Sequence, residues 1–392
     1  MFKNKRIHNK TNNETNDNPN TKHGLTIFAK ILLILLTCIL IAAISSVGIL
    51  FFYFNSKLEQ IEYSSLSKED LDIDPAVDNE LSDYRNIALL GIDARSDTFS
   101  PGNRSDCIMI ISINKTNNNV KIASVYRDMY LNIDNRGLDK VNHAYSFGGP
   151  QLALDTLNKN LDLNISEFVA INFDSVRYAV DSVGGVTMEI DSEETKYINR
   201  YLNSLNTQFG TSSPNITKAG VYTLDGVQAL SYGRIRYTSG GDYKRTERMR
   251  DVLLAVFNKA KNMDIATLNK LLDSMLPHVY TNISKTQILN EIPRINSYTV
   301  QNNFGWPDVD MVDGKKISGI WYGVPINLEK SVSKLHEDLF NQKDYVPSEQ
   351  VKSISSSIIK KTQSNLWLHK ISCKVCFKIP YSYFYYLFFL PI

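Results

Sequence analysis

Cysteine is scarce and scattered. The 392 residues hold four, Cys38, Cys107, Cys373 and Cys376, too few and too dispersed for a disulfide framework. Net charge is nearly absent: 43 Lys and Arg against 41 Asp and Glu leave a formal +2. No global attraction to nucleic acid follows from that balance, so any basic function must be local. Internal repeats are missing, which excludes a solenoid or propeller. Cys373-Lys-Val-Cys376 with His369 supplies half of a zinc site, but a structural zinc takes four ligands and no second half is present.

Uncharged runs are rare too, and the main exception is informative. Residues 1–30 are rich in Asn, Thr and Lys and read as a disordered cytoplasmic tail. Residues 31–54 are almost wholly apolar, long enough to cross roughly 30 Å of hydrocarbon as one helix. No small-residue cleavage site clearly follows, so an uncleaved anchor is expected. Basic residues precede the span and acidic ones follow it, which places the N-terminus in the cytoplasm and the remainder outside. Nucleic acid is therefore not an expected partner. Residues 57–83 are acidic and aperiodic, reading as an extracellular linker.

From residue 84 strand-like and helix-like segments alternate. Runs such as Asn86-Ile-Ala-Leu-Leu-Gly-Ile and Cys107-Ile-Met-Ile-Ile-Ser-Ile read as buried strands, while Leu328–Phe340 reads as a helix. The expected fold is α/β in three layers, a mixed central sheet flanked by helices, over residues 84–345. Residues 346–392 form a tail of uncertain order.

The chain is organised around Leu230–Val252, LSYGRIRYTSGGDYKRTERMRDV. Read as a strand, it puts Tyr232, Arg234 and Arg236 on one face. Ser239-Gly240-Gly241 turns the chain, Asp242 would cap a helix, and Arg245 and Arg248 would lie side by side on it. Like charges about 4 Å apart repel by roughly 4 kcal/mol at an effective dielectric near 20. Such crowding calls for a polyanion or for nearby carboxylates, and the guanidinium fork suits phosphate. A solvated basic helix face is the plainer alternative.

Asp93 follows the first strand and Asp106 opens the second. Neighbouring strands would bring both carboxylates to one end of the sheet, where a pair can hold Mg²⁺ beside phosphate oxygens; each alone reads rather as a turn or capping residue. Arg127-Asp128 ends the third strand, at the sheet end where open α/β folds bind ligands. His143 follows in an apolar-aromatic loop and reads first as a packed histidine, secondarily as a general base.

Together these residues resemble the LytR-CpsA-Psr phosphotransferases. The resemblance rests on Gly91-x-Asp93-x-Arg95 with Arg104-Ser-Asp106, on Arg127-Asp128, and on Lys140-x-Asn142-x-Ala-Tyr. It continues through Leu224-Asp-Gly-x-Gln-Ala-Leu, Arg234-x-Arg236-Tyr and Gly241-Asp-Tyr-x-Arg245-x-x-Arg248. The chain departs at Met249, where the family often carries Gln.

What the resemblance implies is a membrane-anchored enzyme that moves a glycopolymer from a polyprenyl-pyrophosphate carrier to peptidoglycan. Asp93 and Asp106 would hold Mg²⁺ (or Mn²⁺). Arg104, Arg127, Arg234, Arg236, Arg245 and Arg248 would bind the pyrophosphate, and Arg127 and Asp242 would join the catalytic set. The lipid would lie in an apolar groove between sheet and helices. Three other readings use the same arginines: a lipid-pyrophosphate sensor without turnover, a plain pyrophosphatase, and a DNA-binding regulator that the expected topology disfavours.

Overall fold

The computed structural model describes residues 51–94 and 99–363, with isolated positions at 37, 45, 48 and 49. The chain divides into two units, Met1–Ser56 and Lys57–Ile392. Most of the expected 31–54 span lies outside the described residues, as do the tail 1–30, Arg95 and the Cys373/Cys376 pair. Residues 51–56 are helical. Among the described residues no helix is long and apolar enough to cross a membrane.

The second unit is built on seven strands. In chain order they are β1 (Glu62–Tyr63), β2 (Tyr84–Ile92), β3 (Ser105–Asn114), β4 (Asn119–Val125), β7 (Glu167–Asn172), β10 (Val279–Thr281) and β11 (Thr299–Trp306). Spatially the order is β1-β10-β7-β2-β3-β4-β11. β3 runs antiparallel to both β2 and β4, whereas β7 is parallel to β2 and β11 to β4. The sheet is mixed, as expected. Three hairpins stand apart from it: β5 (Tyr130–Ile133) with β6 (Gly137–Lys140), β8 (Val186–Ile190) with β9 (Gly220–Leu224), and β12 (Val312–Ile317) with β13 (Ile320–Pro325).

Side chains alternate across the pleat, so each strand feeds two cores. Ala88, Leu90, Ile108, Ile110, Ala123, Val125 and Phe168 point to one face. There they meet α2 (His143–Leu161), α9 (Leu328–Phe340) and α10 (Glu349–Gln363). Cys107, Met109, Val120, Ile122 and Ile171 point to the other. They are covered by α3 (Phe173–Ser182), α4 (Thr195–Phe209), α5 (Gly226–Tyr232), α6 (Gly241–Ala260) and α7 (Ile265–Met275). This is the three-layer arrangement. Truncating Phe168, which is 0% exposed, to Ala would cost about 3–5 kcal/mol through lost burial and the cavity left.

Both domain boundaries move outward. Residues 57–83 are not a linker: β1 pairs with β10, and Leu71, Val77 and Leu81 are buried in the first core. Their acidic neighbours misdirect the eye because they have local duties. Asp74 caps α1 (Pro75–Glu80) by accepting from Ala76 N–H at 2.7 Å, and Asp78 pairs with Lys68 at 2.7 Å. At the other end α10 buries Val351, Ile354 and Ile358. It is held by Asp162, which accepts from Ser348 N–H at 2.7 Å and Ser348 Oγ at 2.6 Å. Residues 349–363 therefore belong to the domain, and the tail beyond them lies outside the described residues.

Candidate active site

The sheet brings the chemistry to one edge. β2, β4, β7 and β11 all end there and β3 begins there. At that end Gly91 pairs with Cys107 but Ile92 pairs with Ser105, leaving Asp106 in a bulge. Bulges re-aim side chains beside functional sites. A Cβ on Gly91 would fall 2.7 Å from Cys107 Cβ, so glycine keeps the two strands close. Asp93 N–H donates to Arg104 C=O at 2.9 Å, holding those two residues together just past the strand ends.

The segment Leu230–Arg236 is not a strand. Asp225 accepts from Gln228 N–H at 2.8 Å and Gln228 returns the bond at 3.1 Å, a capping box that starts α5. Every residue of α5 is buried, so its apolar run lacks the two-sidedness that separates strand from helix. Arg234 and Arg236 follow on irregular chain. Asp242 is not the cap of α6 either; Gly240, at φ 86°, takes that position. The Asp242 carboxylate is thereby free to turn to the arginines.

Arg127 sits at the centre. Its Nη1 donates to Asp106 Oδ2 at 2.5 Å, its Nε to Asp242 Oδ2 at 3.1 Å and its Nη2 to Asp242 Oδ1 at 3.2 Å. Three of its five N–H bonds are used, so two remain for a ligand. Arg245 approaches the same two carboxylates, at 3.4 Å from Asp242 Oδ1 and 3.7 Å from Asp106 Oδ2. Arg236 lies 3.7 Å from Asp242 Oδ1, with 44% of its side chain exposed. Arg234 rests over the Phe173 ring at 5.4 Å. Asn142 Nδ2 donates to Asp106 Oδ1 at 3.1 Å, and its own Oδ1 is buried without a partner.

The arginines crowd one another. Arg104, Arg127, Arg234, Arg236 and Arg245 share Asp93, Asp106 and Asp242, with Asp174 also acting on Arg234 and Asp128 on Arg127, and Asp128 is itself tied to Lys140 at 2.7 Å. Burial pushes the Arg234 and Arg236 guanidinium groups below their ordinary value, and neighbouring Arg245 pushes the same way on both. Burial opposes ionisation of Asp242, but Arg245 and Arg127 outweigh it and hold that carboxyl below its usual range. A cluster under this mutual repulsion is relieved by an anion.

Arg248 is elsewhere. Although three residues from Arg245, it is 3% exposed and donates to Glu194 at 2.6 Å, Thr238 Oγ1 at 2.7 Å and Ile235 C=O at 3.2 Å. Both sides of its fork are spent within the protein. The expectation that it binds pyrophosphate is corrected: it pins the loop carrying Arg234 and Arg236 against α6. Arg250 is likewise buried, reaching Asn303 and Ser124 at 2.8 and 3.2 Å.

The LytR_cpsA_psr family profile matches residues 49–332. The chain belongs to the LytR-CpsA-Psr family. It is 32% identical over 275 residues to the polyisoprenyl-teichoic acid–peptidoglycan teichoic acid transferase TagU of Oceanobacillus iheyensis, covering 66% of this chain and 78% of that one. The TagU of Bacillus subtilis strain 168 is 30% identical over 267 residues, with 65% and 78% covered. Among solved structures, TagT bound to LIIa-WTA superposes with a TM-score of 0.53 at 26% identity, covering 70% of this chain and 97% of that one. This LytR-CpsA-Psr protein is thus an enzyme of the transferase class.

Two cavities adjoin the arginines. One of about 360 Å³ is lined by Asp93, Arg104, His143, Ser146 and Phe147, among others. The other, bounded by Asp106, Cys107, Phe173, Arg245, Thr246 and Met249, is about 10 Å³, room for no more than a water. Met249, 4% exposed, is one of its walls. The sequence gives no role to Asn142 or Asp139, and for His143 it favours packing over a general base. Their signal was present in the i, i+4 spacing of Asp139 and His143, which join at 2.9 Å.

Proposed function

We propose that this LytR-CpsA-Psr enzyme transfers a glycopolymer of the teichoic-acid kind from a polyprenyl-pyrophosphate carrier to peptidoglycan. The observation that carries this is the Arg127 fork, clasped by Asp106 and Asp242 with two donors left, inside an array of arginines that burial and Arg245 press against one another. Such an array binds a compact polyanion, and the relatives named as teichoic acid transferases supply the class of polymer. The domain would work outside the cytoplasmic membrane, anchored by residues 31–54 with the N-terminus inside.

Breaking a phosphoanhydride needs charge stabilised on both sides of the bond more than it needs covalent help. Arg127 and Arg245 would grip the oxygens between Asp106 and Asp242, while Arg104, Arg234 and Arg236 reach in from the loops. Asp242 fixes the orientation of three of these arginines. Guanidinium groups already in place spend nothing on reorganisation as the leaving phosphate gathers charge.

Asp93 and Asp106 fit a hard divalent cation such as Mg²⁺ or Mn²⁺. Asp93 is exposed beside the larger cavity. Asp106 Oδ2 accepts from Arg127 at 2.5 Å and Oδ1 from Asn142 at 3.1 Å, so each oxygen keeps a second lone pair. Such an ion completes its shell with water and phosphate oxygens. When bound, that ion would neutralise phosphate charge.

The test incubates the full-length protein in micelles with a polyprenyl-pyrophosphate-linked oligosaccharide, with and without a peptidoglycan oligomer, in Mg²⁺. Acceptor-dependent lipid monophosphate is the expected product, lost in Asp93→Asn. Lipid monophosphate formed equally without acceptor would mean a pyrophosphatase. Binding without product, unaltered in Asp93→Asn, would mean a sensor.

A further inference from the structure

The proton on the attacking hydroxyl needs an acceptor, and the larger cavity contains a pair of side chains built for it, turning the secondary reading of His143 into the primary one. His143 opens α2, and its Nδ1 meets Asp139 Oδ2, at the end of the β5–β6 hairpin, at 2.9 Å. The other Asp139 oxygen already accepts Lys140 N–H at 2.8 Å and Tyr322 O–H at 3.3 Å. A carboxylate that gathers donors in this way takes the Nδ1 proton as its hydrogen bond, leaving the lone pair on Nε2. The ring is steadied by Phe147, at 5.8 Å and 67°, which in turn lies under Arg136 at 4.7 Å. A quarter of the His143 side chain is exposed, within the cavity that Asp93 and Arg104 also line.

A packed histidine would have both nitrogens satisfied inside the protein. His336 meets that description: it is 0% exposed, with Nδ1 against Gln342 at 2.8 Å and Nε2 against Leu161 C=O at 3.0 Å. His143 has one nitrogen held by a carboxylate and no protein partner for the other among the described residues. That is the orienting-acid and base arrangement of nucleophile activation, here without a protein nucleophile.

We infer that His143, oriented by Asp139, is the general base that deprotonates the acceptor sugar hydroxyl. This rests on the transfer reading above. The hydroxyl proton passes to Nε2 while its oxygen forms the new O–P bond to the phosphorus bearing the glycopolymer. The anhydride P–O bond breaks with its electron pair on the lipid phosphate, which leaves as the monophosphate. The imidazolium then returns its proton to that phosphate or to water. Asp139 acts through His143 and is a positioning residue. The charged groups around the ring are Asp139, Asp93, Arg104, Lys140 and, beyond Phe147, Arg136.

The experiment measures transfer by the full-length protein from a polyprenyl-pyrophosphate-linked N-acetylglucosamine to a peptidoglycan oligomer. His143→Ala is expected to lower kcat by about 10²- to 10⁴-fold, the usual worth of a general base, with donor KM and donor binding unchanged. Added imidazole should restore part of the His143→Ala rate and none of the His143→Gln rate. Asp139→Asn should lower kcat without imidazole rescue. Should His143→Ala transfer at the wild-type rate, or lose donor binding along with rate, the assignment is overturned while the transfer reading stands. A wild-type protein that makes no lipid monophosphate sinks the transfer reading and this inference with it.

Discussion

Arg245 and Arg248 lie one turn apart on α6 and teach opposite lessons. Arg245 reaches two carboxylates loosely, at 3.4 and 3.7 Å, in company with Arg127, Arg234 and Arg236. Arg248 is locked by short bonds to Glu194 and Thr238. Both are buried, so burial alone does not separate them. The difference is whether the protein itself saturates the guanidinium group. Where it does, the arginine serves the fold; where it does not, capacity remains for a ligand.

The sharpest way to break this comparison is Arg127→Ala. It removes the fork between Asp106 and Asp242, and transfer should fall by at least 10²–10³-fold, as when one preorganised donor is lost. Lipid monophosphate release measures it, and a rate within tenfold of wild type would contradict the assignment. Arg248→Ala should instead act on stability, costing about 3–5 kcal/mol because Glu194 is left charged and buried. Denaturant unfolding reads this, and Arg248→Met combined with Glu194→Leu should recover most of the loss. Donor affinity of the folded variants should be unchanged.

A smaller effect distinguishes the two regions by pH. The folded-state carboxyl of Asp242 lies below its unfolded value, so its contribution is present above about pH 4 and lost as pH falls through the folded value. Asp242→Asn should flatten the stability curve on that acid side, measured by thermal unfolding from pH 6 downward. A variant that keeps the wild-type slope would show that Arg127 and Arg245 do not set this carboxyl. Smallest of all is Arg236→Ala. With 44% of its side chain exposed, it should shift stability by less than about 0.5 kcal/mol. Donor affinity should weaken roughly tenfold, as for one charge-assisted hydrogen bond.

Much of this was legible in the residues. The helix Leu328–Phe340 follows from its periodicity to the residue, and the alternating strands predicted the sheet and its two cores. Asp106 and Arg127 come together as their types and strand-end positions suggest, and Arg245 and Asp242 join them from the first turns of α6. Three features were not legible, for physical reasons. The buried run of α5 looks like a strand because an element covered on all sides has no periodicity; only the Asp225–Gln228 capping box marked it as helical. Residues 57–83 look like a linker because capping and paired aspartates mimic a solvated acidic stretch. Arg248 looks like a site residue because side-by-side spacing on a helix says nothing about the rotamer or the partner.

The sequence by itself determined which groups the protein owns, the alternation that builds a two-sided sheet, and the strand ends where its charged residues cluster. Those are properties of neighbours along the chain. Only the tertiary structure decided how the charges pair: that Glu194 consumes Arg248, that Asp106 and Asp242 share Arg127, and that Asp139 turns His143 toward a cavity. Such choices depend on distances between residues far apart in the chain, and at short range a few ångströms settle whether a charge is compensated or left over for a ligand.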